Sequence, residues 1–149
     1  MNIIENAYRR FSERRFPLPS EDQVAALERQ MHAPLPADFR RFILEYNGGI
    51  FNEPDITPTT EDCPDDRLTV LNGIGADYHG DVLGADVSLF DGNDPVLILP
   101  IGYTLMGNLL VVFIGDDDDG YIYMKKAGAD NFYELAENIE GFFSLLTEP

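Results

Sequence analysis

Residues 35–49 read LPADFRRFILEYNGG, and the fold turns on this stretch. Pro36 has a fixed φ and no N–H, so it suits the first turn of a helix. Asp38 puts negative charge at the positive end of the helix dipole. Phe39, Phe42, Ile43 and Tyr46 recur at i, i+3, i+4 and i+7 as one apolar stripe, with Arg40, Arg41 and Glu45 on the other faces. Asn47, Gly48 and Gly49 end the helix, because glycine accepts the left-handed conformation that closes a C-terminus. The spacing predicts a helix over 36–47 that presents two phenylalanines to a core. Alanine at Gly48 or Gly49 is expected to cost on the order of 1 kcal/mol.

Upstream, residues 2–15 read as a first helix, with Ile3, Ile4, Ala7, Tyr8 and Phe11 inward and Arg9, Arg10, Arg14 and Arg15 outward. Those arginines suit a solvated helix face or pairing with the chain's own acids better than a phosphate site. Ser20 and Gln23 have the spacing of a capping box, opening a second helix whose buried stripe is Val24, Leu27 and Met31. Downstream, Ile50 and Phe51 suggest the start of an edge strand. Residues 52–66 hold three prolines and six acids, too long a stretch for an idle structureless loop. A short strand is expected over 68–71, then glycine- and aspartate-rich loops over 72–94 with a brief ordered piece at 87–90. Strands over 96–101, 109–114 and 121–126 form an antiparallel meander. The second of these is apolar throughout, as suits a central strand covered on both faces. After Asp130, residues Phe132, Leu135, Ala136, Ile139, Phe142, Phe143 and Leu146 keep a helical period, which predicts a closing helix.

Two blocks of this chain resemble the SUKH superfamily, which includes the SMI/KNR-type domains. One is Leu35-Pro36, Phe39, Phe42 and Asn47-Gly48-Gly49. The other is Leu99-Pro100-Ile101-Gly102, then Gly107-Asn108 and the apolar run 109–114. The resemblance runs from about Ser20 to the end of the chain, with 51–94 poorly matched. It implies an α+β domain, usually without enzymatic activity. It also implies a protein partner: many bacterial members are immunity proteins that neutralise a toxin, often a nuclease. Eukaryotic relatives are protein-interaction modules in cell-wall regulation.

With 149 residues the chain fits one domain over 1–149, able to bury roughly 68–70% of the surface its unfolded form exposes. No apolar run reaches the ~18 residues of a membrane span, and no basic-then-apolar leader is visible. Cys63 is the only cysteine and has no partner for an internal disulfide, which points to the cytoplasm. The formal charge is −17, and from Leu68 onward there are 2 basic and 14 acidic residues. Such a surface repels nucleic acid and anionic lipid. The acidity serves solubility, or it attracts a basic protein and speeds association; composition leaves both open.

Catalytic signals are weak. An EF-hand loop through Asp116, Asp117, Asp118 and Asp119 would need an acid at Gly115 and a glutamate at Lys126. Asp77, His79 and Asp81 alternate ligand-capable side chains. His32 is the only other histidine and no spacing links it to them, so no metal is assigned there and the question stays open. Gly73-Ile74-Gly75 lacks the third glycine of a dinucleotide fingerprint, and no nucleophile elbow or P-loop is present. Cys63 sits among acids that raise a thiol pKa. No carboxylate pair is singled out as acid and base.

The expectation is therefore an α+β protein in which an antiparallel C-terminal meander is packed by N-terminal helices and a closing helix. It is expected to be a non-catalytic, cofactor-free protein-binding domain whose partner, through the resemblance, is a basic toxin domain. A regulatory interaction module without a toxin, or a small ligand-binding protein or enzyme using the middle loops, is the alternative. The candidate binding residues are Asp116, Asp117, Asp118 and Asp119 at a hairpin tip, Glu61, Asp62, Asp65 and Asp66 in the middle loop, and Tyr121 and Tyr123 on the sheet. Whether the two acidic clusters share a face is left to the fold.

Overall fold

The computed structural model describes residues 2–75, 88–90, 96–115 and 117–149. The expected ordered piece begins at Val87, outside the described residues, as do Asp77, His79, Asp81 and Asp116. Among the described residues four helices, α1 (Ile3–Phe11), α2 (Glu21–Met31), α3 (Ala37–Glu45) and α4 (Ile139–Phe143), lie against one face of an antiparallel sheet. Its described strands are β1 (Ser12–Arg15), β2 (Gly49–Phe51), β3 (Asp55–Ile56), β4 (Asp66–Leu71), β5 (Ser88–Phe90), β6 (Val96–Thr104), β7 (Leu109–Ile114), β8 (Ile122–Lys125), β9 (Phe132–Ala136) and β10 (Leu146–Thr147). The main path runs β1-β2-β4-β6-β7-β8-β9, with β3 pairing β4 and β10, and β5 pairing β6. This is an α+β architecture of the expected kind.

Helix α3 has the predicted stripe. Phe39, Phe42 and Ile43 are buried, and Pro36 stands at its N-cap. The capping box of α2 forms as expected: Gln23 N–H donates to Ser20 Oγ and Ser20 N–H to Gln23 Oε1. Arg40 clamps α2 to α3 through Glu28 at 3.1 Å and Glu21 at 2.9 Å. Tyr8 from α1 stacks on Tyr46 at 4.7 Å and donates its hydroxyl to Gly48 O at 2.9 Å.

The chain leaves α3 through Asn47 (φ 56), Gly48 (φ 75) and Gly49 (φ 146). Positive φ was the expected signature, but the constraint at Gly48 is tighter than conformation alone. A Cβ there would lie 2.3 Å from Leu71 O and 2.6 Å from Asn72 O, both backbone atoms of a neighbouring strand end. Gly48→Ala is therefore expected to cost about 2–3 kcal/mol rather than the ~1 kcal/mol of a strained turn alone. Urea denaturation of the variant checks this, and a loss under about 1 kcal/mol would mean the turn relaxes freely.

Three elements differ from the sequence reading. The first helix ends at Phe11, not Arg15, because residues 12–15 pair with Gly49–Phe51 as β1. Residues 50–51 do form a strand, but β2 is interior, flanked by β1 and β4. The closing helix is replaced by strand, helix and strand. Phe132–Ala136 joins the edge of the meander against β8, with a bulge at Leu135 that sets Ala136 opposite Ile122 and so on the core side with Tyr133 and Leu135. Asn138 then caps the five-residue α4 by accepting from Gly141 N–H. Long-range pairing outweighs local helical period in both places. Residues 52–66 are not structureless either: β3 pairs β4 and β10, and Cys63 is buried.

The meander itself is as expected, with β6 extended to Thr104. Strand β7 is buried from Leu110 to Ile114. Leu110, Val112 and Ile114 face the helices. Val111 and Phe113 join Ile98, Tyr123 and Phe132 in a second cluster on the opposite alternation.

Candidate functional site

The sheet register separates the two acidic clusters. Strand β4 runs antiparallel to β6, so residues 61–66 lie where β6 turns into β7, and Leu105 N–H bonds Arg67 O at 2.9 Å. Residues 117–119 lie at the other end of β7, where it turns into β8. Six residues at about 3.4 Å each put the two turns roughly 20 Å apart. The clusters do not form one rim.

At the β7–β8 turn, Asp119 Oδ1 accepts from Gly115 N–H at 2.7 Å, so it serves the turn. Asp118 accepts from the Tyr123 hydroxyl at 3.0 Å. Tyr123 stacks on Phe113 at 4.2 Å, and burial followed by the bond to Asp118 pushes its phenol above the ordinary range. Tyr121 is raised mainly by the neighbouring Glu137 carboxylate. Asp117, Asp118, Asp119, Tyr121 and Tyr123 are thus brought together; Asp117 and Asp119 are exposed, while Asp118, Tyr121 and Tyr123 are half-buried.

At the β6–β7 turn, Asp66 departs from the sequence reading. It is 5% exposed, and its carboxylate is the hub of a buried network. It accepts from Thr104 Oγ1, from Asn108 Nδ2 at 2.8 Å, and from the N–H groups of Arg67 at 2.8 Å and Met106 at 3.1 Å. Asn108 N–H in turn donates to Thr104 Oγ1, and Asn108 Oδ1 accepts from Ala127 N–H. Asp66 is unavailable to a partner; it fixes the turn. Glu61, Asp62 and Asp65, which precede it in the chain, are exposed.

This turn presents two side chains that sequence reasoning missed. Leu105 and Met106 are 52% and 69% exposed. They border a groove of about 420 Å³ with Asp55, Thr57, Asp65 and Arg67. Arg67 is paired with Asp55 at 3.0 Å. The available signal was two large apolar residues immediately before Gly107-Asn108, a turn pair.

Among the described residues no three histidine, cysteine or carboxylate groups gather as a metal site. Burial, followed by the Asp66 and Asp65 carboxylates, pushes the Cys63 thiol up to about 11, far from a nucleophile's range. The arginines of the N-terminal segment pair internally: Arg9 and Arg15 with Glu5, and Arg10 with Glu148. Among the described residues no helix is long and apolar enough to cross a membrane.

Compared with known proteins, residues 18–145 match the model of the SMI1 / KNR4 family (SUKH-1). No curated protein and no solved structure gives a significant match.

Proposed function

Since this chain belongs to the SMI1 / KNR4 family (SUKH-1), we propose that it is a non-catalytic protein-binding domain that acts in the cytoplasm as an immunity protein, neutralising a cognate toxin domain of basic, nuclease type. Family membership is the observation that carries this reading. The charge of −17 supports it, because complementary charge raises the rate at which a basic partner is captured. An immunity protein must reach its toxin before the toxin reaches nucleic acid, so a fast association is the useful property. Exposed carboxylates at both ends of the sheet supply a long-range field, and closer contacts fall to apolar side chains.

The test is co-expression with the product of the gene immediately upstream of this protein's own, which this reading expects to encode a cytotoxic domain. Growth is expected to be restored, and the two chains are expected to purify as one complex. A toxin that kills equally well in the presence of this protein overturns the immunity reading. A complex that forms without relieving toxicity favours a regulatory interaction module instead.

A further inference from the structure

We infer that the groove at the β6–β7 turn is the docking site for a basic segment of the partner protein, one that places an apolar side chain against Leu105 and Met106 and its cations against Glu61, Asp62 and Asp65. This rests on the protein-binding reading above and assigns it a surface.

Among the described residues, five large hydrophobic side chains are exposed; two of them, Leu105 and Met106, are adjacent in the β6–β7 turn and line the groove, and a third, Leu109, opens β7 just after it. Scattered exposed apolar residues need no explanation, but a contiguous group at a turn marks a contact surface. The turn is also held rigid: every polar group of the Asp66 hub is bonded within the protein. A partner therefore meets side chains already in place, and little ordering entropy is lost on contact.

The surrounding charge identifies the occupant. Arg67 in the groove is already neutralised by Asp55, whereas no cation among the described residues pairs with Glu61, Asp62 or Asp65. Asp65 lines the groove, and Glu61 and Asp62 are exposed just before it in the chain; an apolar centre with these unpaired acids close by in sequence fits a cationic, amphipathic chain. A second copy of this protein brings −17 of like charge and is repelled. The opposite end of the sheet has acids but no exposed large hydrophobic among the described residues. Asp118 and Asp119 there are also partly engaged by Tyr123 and Gly115.

The experiment titrates ¹⁵N-labelled protein with a short peptide alternating leucine and lysine, and in parallel with oligolysine of equal charge. The leucine–lysine peptide is expected to shift the amides of Thr57, Arg67, Leu105 and Met106 and to bind about tenfold or more tighter than oligolysine. The exposed-site variant Leu105→Ser/Met106→Ser is expected to remove that margin while keeping the native melting temperature. Asp65→Lys should weaken both peptides, and Asp117→Asn/Asp119→Asn should change neither site nor margin. Shifts centred on residues 117–121, or an unchanged margin in the Leu105/Met106 variant, overturn the inference. So does a concentration-dependent dimer that the same variant abolishes, since the groove then belongs to a second copy. Failure here leaves rescue by co-expression intact, and failure of rescue leaves the peptide site intact, so the two readings fall separately.

Discussion

Phe42→Ala is expected to lower the free energy of unfolding by about 3–5 kcal/mol, the range for emptying a buried phenylalanine site. The side chain is 3% exposed and lies where three helices meet the sheet. Its ring centroid is 5.5 Å from Phe143 of α4, 5.8 Å from Phe39, 6.0 Å from Tyr46 and 6.4 Å from Tyr8 of α1. Truncation would leave a void lined on several sides by rigid rings, which cannot collapse inward as flexible chains do. Domains of this kind are stable by about 5–15 kcal/mol in total, so the variant should stand near the edge of folding. Urea denaturation reads the effect directly. A shift below about 1 kcal/mol would remove Phe42 from the centre of the core.

Asp66→Ala is expected to cost about 3–4 kcal/mol, through hydrogen bonds rather than packing. All four of its partners donate: a hydroxyl, a side-chain amide and two backbone N–H groups. Removing the carboxylate strands buried donors, each carrying about 1–3 kcal/mol of unmet desolvation, part of which water and relaxation recover. Asp66→Asn preserves shape yet is expected to cost about 2 kcal/mol, since its NH₂ turns a donor toward donors. The same denaturation measurement applies to both. An asparagine variant as stable as the parent would show that the network does not need an acceptor-only group. Because Met106 N–H is one of the four donors, both substitutions should also loosen the turn that displays Leu105 and Met106.

What was legible in the sequence was what local chemistry writes down. The α3 stripe, the Ser20–Gln23 capping box and the β6–β7–β8 meander depend on residues a few positions apart, and the structure has them. What failed was decided at long range. Residues 12–15 look helical until β2 offers a strand to pair with, and residues 132–136 fit a helical period until β8 does. Asn138, an unread cap, was the available clue to the late start of α4. At the site, acidity was visible but its depth was not. Asp65 and Asp66 are neighbours of the same type; one is exposed and the other buried, because Asp66 begins the alternation that continues through Leu68 in β4. The separation of the two acidic clusters could not be read without the register of β4 on β6.

The docking of α1 also bears on where this protein begins in a physical sense. Similarity to the family starts at residue 18, after α1 and β1. Yet Tyr8 and Phe11 are almost wholly buried, Tyr8 bonds the Gly48 carbonyl, and β1 covers one side of β2. A chain trimmed to the matched residues would bare the rings of Tyr46, Phe51 and Phe143 and leave β2 as an open edge, a template for intermolecular pairing. The boundary drawn by common ancestry and the boundary drawn by burial fall in different places, and only the second keeps those rings covered and the β2 edge paired.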